Sequence, residues 1–209
     1  MLRLISVWYL KQQICVRWGE VTSGYFAVSN GVRQGGILSP HLYNLYVNDL
    51  SKLLNNACVG CYWGKVIVNH LLYADDMVLF APSAKGLQKL LNICSAYGCN
   101  NDIMYNAEKS KVMYLAPYKG DKLEIRPILY ISGNCMTYVN TYLYLGHIIC
   151  DNLNDEEDMK AKMRLLYGRS NSLIRKFYFC SKQVKKMLFI SFCSNIYLNA
   201  LWFNHSKTN

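Results

Sequence analysis

The last quarter of this 209-residue chain contains no acidic residue, and the whole chain contains only 4 prolines. Hydrophobic residues make up 52% and charged residues 17%, a composition that excludes a disordered chain and predicts a folded core. All 13 acids lie within residues 1–158, which carry as many basic residues. The formal charge of +10 therefore comes entirely from residues 159–209 and favours an anionic partner for that segment.

The chain has 9 cysteines but no spacing typical of a disulfide framework or a zinc site. Cys58 and Cys61 form a Cys-x-x-Cys pair, yet no second pair follows at the spacing of a zinc finger. The N-terminus also lacks the charged-then-apolar order of a secretory signal. We therefore expect reduced thiols, no disulfide partner, and an intracellular protein of the nucleus or cytoplasm.

One uncharged stretch, residues 187–203, approaches the length of a membrane span. Within it Ser191, Asn195 and Asn199 recur every four residues and would line one stripe of a helix. Such a stripe is typical of a packed helix rather than of a lipid-facing one. We therefore expect no association with a membrane.

Two helix starts can be read from the sequence. A glycine-rich segment leads to Ser39 and Pro40, where serine can cap free backbone N–H groups and proline fits the first helical turn. Ser83 is a second predicted N-cap. Apolar residues on one face follow each start, which predicts helices that pack on a core. Those residues are Leu42, Leu45, Tyr46, Leu50, Leu53 and Leu54 in the first helix and Leu87, Leu90, Leu91 and Cys94 in the second.

Residues 70–81 form a predicted hairpin that carries Asp75 and Asp76 at its tip, between two apolar runs. Adjacent carboxylates on a rigid tip point in different directions, so one can bind Mg²⁺ while its neighbour sets the geometry, as phosphoryl transfer by two metals requires. A solvated surface turn is the alternative. The apolar flanks favour a metal site, because we expect the strands to be buried, where an uncompensated pair of charges is costly.

The remaining pattern divides the chain in two. Short strands are predicted between residues 122 and 149, and a basic helical region begins at Asn154. The predicted fold class is therefore α+β, with one domain at residues 1–150 and a second, helical and basic, at residues 151–209. A small-molecule enzyme is not favoured, because no clustered Ser/His or His/Cys/Asp arrangement is visible in the sequence.

Four motifs occur in an order typical of one family. Residues 31–44 read Gly-Val-Arg-Gln-Gly-Gly-Ile-Leu-Ser-Pro-His-Leu-Tyr-Asn, and residues 72–80 read Leu-Tyr-Ala-Asp-Asp-Met-Val-Leu-Phe. They resemble the palm motifs of reverse transcriptases, most closely those of non-LTR, LINE-like retrotransposons. Residues 106–110, Asn-Ala-Glu-Lys-Ser, resemble the family motif that follows the catalytic hairpin, and residues 144–147, Tyr-Leu-Gly-His, resemble its primer-grip strand.

The resemblance implies an RNA-directed DNA polymerase with a partial palm that uses Mg²⁺, an RNA template, a DNA primer and deoxynucleoside triphosphates. Asp75 would be the metal-binding catalytic carboxylate and Asp76 its partner. Lys109 would lie near the leaving pyrophosphate or, alternatively, would be only a solvated turn residue. The residues implied to contact the template base and the incoming nucleotide are Arg33, Gln34, Gly35 and Tyr73. A plain glycine-rich loop before a helix is the alternative for the first motif.

The resemblance also implies nucleic-acid contacts in the second half of the chain. Tyr144, Leu145 and Gly146 would hold the primer end, and the helices after Asn154 would form a thumb. Helical spacing lets apolar residues face inward while basic residues face the template–primer backbone or, alternatively, only solvent. The inward set is Met159, Met163, Leu166, Leu173, Ile174 and Phe177. The outward set is Lys160, Arg164, Arg169, Arg175, Lys182, Lys185 and Lys186.

One part of the family pattern is missing from the sequence. A palm carries a third acid on a strand upstream of the Gln-Gly motif, but the first 48 residues contain only Glu20, which lies in a polar turn. Asp75 and Asp76 can still hold one ion together with substrate phosphates, whereas two ions in line are not expected. We therefore expect an N-terminally truncated reverse transcriptase or an incomplete gene model, inactive alone. The alternative is a non-catalytic nucleic-acid-binding remnant or domesticated module.

Overall fold

Residues 1–101 and residues 102–209 form two compact units. The computed structural model describes residues 2–28, 31–116 and 126–193. The predicted domain boundary near residue 150, between a partial palm and a thumb-like region, stays a prediction. The uncharged stretch of residues 187–203 lies outside the described residues beyond residue 193.

In the first unit, helices alternate with short antiparallel strand pairs. Helix α1 (Leu2–Leu10) precedes strands β1 (Gln13–Ile14), β2 (Arg17–Trp18), β3 (Val21–Thr22) and β4 (Phe26–Ala27). Strand β1 pairs with β4, and β2 pairs with β3. Helix α2 (Ser39–Asn56) then leads to β5 (Cys61–Trp63), β6 (Val66–Val68), β7 (His70–Tyr73), β8 (Asp76–Leu79) and helix α3 (Ala84–Asn100). Strands β5 and β6 form one hairpin, and β7 and β8 form the next.

The core of the first unit lies between α2 and α3. Each helix buries an apolar stripe, and Tyr97 on α3 donates a hydrogen bond from its hydroxyl to the carbonyl oxygen of Tyr46 on α2 at 2.6 Å. The buried residues are Val47, Leu50 and Leu54 on α2 and Leu90, Leu91, Cys94 and Tyr97 on α3. Because burying each large apolar side chain contributes about 1.5–3 kcal/mol, the contacts of this helix pair, here called the α2–α3 frame, stabilise the first unit.

The predicted apolar face of α2 is only partly correct. Leu50 and Leu54 are buried and Leu42 is half-buried, but Leu45 and Leu53 are exposed. By helical spacing, Leu53 lies on the flank of the buried stripe and Leu45 lies on the opposite side of α2, so α3 covers neither. Leucine spacing therefore identified the helix without revealing how much of its surface a partner would cover.

The two predicted helix caps have different outcomes. Ser83 caps α3 as predicted and accepts a hydrogen bond from the Gly86 amide at 3.2 Å. The prediction that Ser39 caps α2 was wrong, because the N-cap residue of α2 makes no side-chain cap hydrogen bond and Ser39 donates its hydroxyl to the Arg33 carbonyl oxygen. Pro40 does lie in the first turn. Ser39 therefore closes the glycine-rich loop rather than the helix end.

The second unit combines short strands with two helices in its described part. Its strands are β9 (Lys111–Val112), β10 (Tyr130–Ile131), β11 (Asn134–Cys135), β12 (Thr137–Tyr138), β13 (Thr141–Tyr144) and β14 (His147–Cys150). Strands β10 and β11 form a hairpin, as do β13 and β14, whereas β9 and β12 pair in parallel. Helices α4 (Glu156–Lys176) and α5 (Lys182–Phe192) follow and pack against each other.

The fold class is mixed helix and sheet, as predicted, and nearly all of the small sheets are antiparallel. Across residues 2–28, 31–116 and 126–193, each sheet contains two strands. In the same ranges, no helix combines the length and the apolar character that crossing a bilayer requires.

The Leu54→Ala variant is expected to destabilise the first unit strongly. The Leu54 side chain is 0% exposed, so its truncation leaves a cavity and costs about 2–5 kcal/mol. The adjacent Leu53, 47% exposed, provides a matched control, and Leu53→Ala should cost less than about 1 kcal/mol. Urea unfolding of both variants measures the difference, and equal losses would show that the α2–α3 stripe is not the core.

Candidate active site and nucleic-acid interface

Asp75 and Asp76 lie at the tip of the β7–β8 hairpin. Tyr73 pairs with Asp76, so Ala74 and Asp75 are the two central residues of the turn. Ala74 has a φ of +51°, the positive value that a type II′ turn requires at its first central position and that usually selects glycine. An alanine there costs about 1–2 kcal/mol, which the pairing of the flanking strands must offset.

The strands that carry the aspartates are half-buried rather than buried. In β7, Leu72 is partly covered, whereas Leu71 is 53% exposed and Tyr73 is exposed as well. The expectation that the carboxylates end two buried strands was therefore wrong, because β7 covers one face only and its side chains alternate between the protein and solvent. Asp75 and Asp76 are themselves exposed, so both carboxylates are open to an incoming ligand.

Tyr43 links the glycine-loop motif to the aspartate motif. It lies in the first turns of α2 and is half-buried. Burial raises the pKa of the Tyr43 phenol, and the negative charge of Asp75 raises it further, so the phenol lies within electrostatic reach of that carboxylate. Tyr43 was not among the residues predicted from the sequence, although its position inside the motif at residues 31–44 was an available signal.

The side chain of Arg33 is held by two residues from the N-terminal segment. Its guanidinium carbon lies 4.7 Å from the centroid of the Trp8 ring, and its Nε donates to Gln12 Oε1 at 2.9 Å. Gln34 and Gly35 follow it and are exposed. The loop thus directs Arg33 toward Trp8 and Gln12 while the next two residues stay open, and the assignment of all three to a nucleotide site remains a prediction.

Two glycines determine the shape of this loop. Gly35 has a φ of +79°, a conformation that most L-residues adopt only with strain. At Gly36, an added Cβ would lie 2.7 Å from Ser39 Oγ and 3.2 Å from the Arg33 carbonyl oxygen. A side chain at Gly36 would therefore break the hydrogen bond by which Ser39 closes the loop.

Lys109 lies in the second unit, at the end of a turn that Asn106 organises. Asn106 Oδ1 accepts a hydrogen bond from the Lys109 amide at 3.0 Å, and its carbonyl oxygen accepts one from the Ser110 amide at 2.9 Å. The hydroxyl of Tyr142 on β13 donates to the Lys109 carbonyl oxygen at 3.2 Å. The backbone of Lys109 is thus fixed to the β13–β14 hairpin, while its side chain is exposed.

The predicted primer-grip residues form the turn of the β13–β14 hairpin. Tyr144 pairs with His147, and Leu145 and Gly146 have φ values of +47° and +80°. Positive φ at both central positions is typical of a type I′ turn, which suits a right-handed hairpin twist. Leu145 and Gly146 are exposed, so the turn is accessible to a ligand.

The first turns of α4 hold this hairpin turn from one side. Asp158, only 4% exposed, accepts hydrogen bonds from the Ile148 amide at 2.9 Å and from His147 Nδ1 at 3.0 Å. One helical turn later, Lys162 donates from Nζ to the Gly146 carbonyl oxygen. Three successive residues of the hairpin are therefore bound to two side chains on one face of α4.

These contacts lower the pKa of Asp158. Burial alone would raise the pKa of this carboxyl, but the Ile148 amide, His147 and the positive charge of Lys162 together lower it more. The carboxylate form is therefore stabilised in the folded chain. Sequence analysis did not single out Asp158, because its role depends on a hairpin that precedes it in the chain.

The predicted nucleic-acid-binding residues of α4 do not share one face. Lys160, Arg164 and Arg175 fall on one side of the helix by its 3.6-residue spacing, while Arg169 lies on another. All four side chains are exposed. Arg164 and Arg169 also line a groove of about 970 Å³ between α4 and α5, together with Lys176. The basic charge is thus spread around the helix rather than confined to one stripe.

On α5, the three predicted lysines have different surroundings. Lys182 and Lys186 are exposed, whereas Lys185 is half-buried and donates from Nζ to the Tyr178 carbonyl oxygen at 2.6 Å. The predicted inward set of α4 is partly wrong, since Met163 is 40% and Ile174 is 58% exposed. Because β14 and α5 cover only part of α4, apolar residues on its other side remain in solvent.

Oxygen donors for Mg²⁺ are present at the hairpin tip. In the described parts of the chain, no group of three or more His, Cys, Asp or Glu side chains is arranged to hold a metal. Mg²⁺, however, is usually bound through one or two carboxylates with substrate phosphates and waters completing its shell. The exposed pair Asp75 and Asp76 fits that requirement in number and chemistry.

The four motifs lie within a segment that matches a known family. Residues 2–149 match the model of the family described as reverse transcriptase (RNA-dependent DNA polymerase). The chain belongs to the reverse transcriptase family. The predicted resemblance is therefore confirmed, and the family segment contains the β7–β8 hairpin, the glycine-rich loop and the turn of β13–β14.

Relatives of this reverse transcriptase chain are proteins of non-LTR retrotransposons. It is 42% identical over 71 residues to the Pol polyprotein of the type-2 element R2DM of Drosophila melanogaster, covering 34% of this chain and 7% of that protein. It is 28% identical to the Pol polyprotein of the type-1 element R2 of Popillia japonica, covering 61% and 22%. It is 26% identical to the RNA-directed DNA polymerase of the element jockey of Drosophila funebris, covering 58% and 13%. The chain thus spans less than a quarter of each relative.

Protection of the Ile148 amide from hydrogen exchange is expected to fall in acid. Because the pKa of Asp158 is lower in the folded chain, its stabilising contribution is complete above the unfolded value of about 3.8 and is lost as the pH falls through the folded value. The protection factor of Ile148 should therefore decrease below about pH 4. In the Asp158→Asn variant, this decrease should disappear.

The matched control is Glu156→Gln, which removes one charge from the same helical turn at an exposed position paired with Lys160. This variant should keep the acid-induced decrease at Ile148. An unchanged decrease in Asp158→Asn would contradict the assignment of the titration to Asp158.

Proposed function

We propose that residues 1–150 are a partial palm of a reverse transcriptase and that Asp75 and Asp76 are its metal-binding carboxylates. The observation that carries the proposal is the exposed carboxylate pair at the tip of a hairpin inside the segment that matches the family. One relative is named an RNA-directed DNA polymerase. We extend that activity to this chain as the synthesis of DNA on an RNA template from a DNA primer.

Asp75 and Asp76 would hold Mg²⁺ at the hairpin tip. The ion, when bound, supplies positive charge that neutralises the reacting phosphates of a deoxynucleoside triphosphate. Asp75 would coordinate it directly, and Asp76, on the next residue, would support that geometry. Lys109 would place a cation near the leaving pyrophosphate, which is the site where negative charge develops during phosphoryl transfer.

The glycine-rich loop would accommodate the nascent base pair. Gln34 and Gly35 are exposed next to a guanidinium that Trp8 and Gln12 hold in place. Because Gly35 has no side chain, a base or a sugar can approach its backbone closely. Tyr73, exposed at the end of β7 beside the aspartates, would provide an aromatic surface for the nucleotide.

The second unit would hold the primer–template duplex. Tyr144, Leu145 and Gly146 would contact the primer end, and the basic residues of α4 and α5 would contact phosphates as a thumb. Exposed guanidinium and ammonium groups suit such contacts, which need charge but not base recognition. The attachment of the hairpin turn to α4 through Asp158 supports this assignment, because it joins the primer-grip turn to the basic helix.

Residues 1–209 by themselves are proposed not to polymerise. Phosphoryl transfer by two metals needs carboxylates that place both ions in line. Before Asp49 the chain has a single acid, Glu20, which lies in the exposed turn between β2 and β3. A further carboxylate would therefore have to come from another palm segment.

Primer extension on an RNA template with Mg²⁺ tests this proposal. The 209-residue chain should give no extension, and fusion to an upstream palm segment that carries the further acid should restore it. In the restored protein, Asp75→Asn with Asp76→Asn should reduce the rate by at least about 100-fold, because the metal ligands are lost. Asp49→Asn, an exposed acid of α2 paired with Lys52, is the matched control and should leave the rate unchanged.

Extension by the bare chain that depends on Asp75 and Asp76 would show that another group replaces the third carboxylate. Restored extension that survives the double substitution would refute the assignment of the catalytic pair.

A non-catalytic nucleic-acid-binding module is the second candidate function. The observation that favours it is the concentration of exposed basic residues on α4, in a segment of the chain without acids after Asp158. Such a module would bind duplexes through phosphates alone, with or without Mg²⁺.

Salt dependence of duplex binding tests the basic helix under either function. Replacing Lys160, Arg164 and Arg175 by alanine should reduce the slope of log K against log salt by about 0.9 for each phosphate contact removed. The matched control replaces Lys11, Lys65 and Lys85, which are exposed in the first unit, and should change the slope little. Equal reductions in both variants, measured by fluorescence anisotropy, would contradict a specific role for α4.

A further inference from the structure

Three polar side chains join α2 to the base of the β7–β8 hairpin. Ser51 Oγ on α2 lies 2.8 Å from His70 Nε2, and His70 Nδ1 lies 2.7 Å from Asn69 Oδ1. Asn69 Nδ2 donates in turn to the carbonyl oxygen of Leu54 on α2 at 2.6 Å. No Ser/His arrangement could be read from the sequence, because Ser51 and His70 are 19 residues apart along the chain.

The direction of each hydrogen bond follows from the last contact. Because Asn69 Nδ2 donates to a carbonyl oxygen, its Oδ1 is directed at His70 and can only accept. His70 Nδ1 must therefore carry a proton, and in the neutral imidazole Nε2 accepts the proton of the Ser51 hydroxyl. Burial lowers the pKa of His70, which is consistent with a neutral ring.

Asn69 occupies the most enclosed position of the three. Asn69 is 1% exposed. Its main-chain carbonyl oxygen accepts a hydrogen bond from the Phe80 amide at 2.8 Å, which adds one more hydrogen bond between the two strands beyond the ends of β7 and β8. Gly60, just before β5, packs against it so closely that an added Cβ would lie 2.8 Å from Asn69 Cβ. The Asn69 side chain is therefore enclosed on the side of Gly60 as well as on the side of α2, which restricts its movement.

The tip of the hairpin also lies near α2. Tyr43 is within electrostatic reach of Asp75, and Tyr43 precedes Ser51 by eight residues, or about 12 Å along a helix. From His70 to the turn at Ala74, the strand rises by about 13 Å. The two spans agree, as expected for a hairpin that runs alongside α2 with its base at Ser51 and its tip toward Tyr43.

We propose that Ser51, His70 and Asn69 are positioning residues for the candidate active site. They fix the position of β7 along the axis of α2 and its rotation relative to that helix, and so determine where Asp75 and Asp76 lie. This inference rests on the proposed function of the two aspartates. The half-buried, two-stranded hairpin packs through one face only, and apolar contacts alone do not set its register on a helix. A hydrogen-bonded histidine with a directional partner at each nitrogen sets that register.

The test compares Ser51→Ala with Ser51→Thr in the full 209-residue chain. Alanine removes the hydroxyl and is the better helix former by a few tenths of a kcal/mol, so the fold is retained. The amide NMR resonances of residues 73–77 should move in Ser51→Ala, and the His70 Nε2 signal should shift as its hydrogen bond is lost. Threonine keeps the hydroxyl, so Ser51→Thr should keep both signals close to those of the unsubstituted chain.

The same samples are then titrated with Mg²⁺ alone. Binding at the tip should be about 2- to 10-fold weaker in Ser51→Ala than in Ser51→Thr, the effect of one hydrogen bond. Tip resonances that stay fixed in Ser51→Ala, or that move equally in both variants, would overturn the positioning role.

Failure of the proposed function would look different. If Mg²⁺ fails to move the tip resonances of the unsubstituted chain, or moves them equally after Asp75→Asn with Asp76→Asn, the metal assignment is wrong. The metal-free comparison of the two Ser51 variants still decides whether the network positions the tip.

Discussion

The placement of the β7–β8 hairpin depends on the hydrogen bonds of the buried Asn69 side chain. Its amide binds the carbonyl oxygen of Leu54 near the end of α2 and the ring of His70, while the main-chain carbonyl oxygen of Asn69 accepts from the Phe80 amide at the base of the hairpin. An unpaired buried amide costs about 1–3 kcal/mol, so these partners must be satisfied together. Once they are, the α2–α3 frame also determines where the carboxylates lie.

The second unit also anchors a hairpin through one buried polar side chain, but next to the turn rather than at the base. Asp158 is buried at the start of α4 and binds the backbone and ring that follow the Leu145–Gly146 turn. In both units, a hairpin with an exposed turn is anchored by one buried polar side chain. This arrangement leaves the turn accessible to a ligand and still restricts its motion, because the anchoring hydrogen bonds lie away from solvent.

Local patterns predicted the elements better than they predicted their surroundings. Apolar runs indicated strands at residues 70–81, where β7 and β8 lie, and Ser83 was correctly identified as a cap. Ser39 was misassigned, because its hydroxyl binds the Arg33 carbonyl oxygen and not the helix end. The contact of Ser51 with His70 could not be predicted, since it joins residues whose proximity depends on how the hairpin packs on α2.

The total charge of a segment could also be predicted from the sequence, whereas the contacts of its individual charged residues could not. The sequence placed the basic excess in residues 159–209, but it did not reveal that Lys185 is half-buried and donates to the Tyr178 carbonyl oxygen. It also did not single out Asp158, the acid whose pKa the fold lowers. Composition reports how much charge a segment carries, whereas the direction and pairing of each group depend on tertiary contacts.

Broadening of NMR signals by Mn²⁺, which prefers the same oxygen ligands as Mg²⁺, tests most directly whether Asp75 and Asp76 form a metal site. We expect the amides of residues 73–77 and the ring of Tyr43 to broaden at the lowest Mn²⁺ concentration, and Mg²⁺ in excess to reverse the effect. Broadening centred on the acidic residues 155–158, with the hairpin tip unaffected, would contradict a metal site at Asp75 and Asp76.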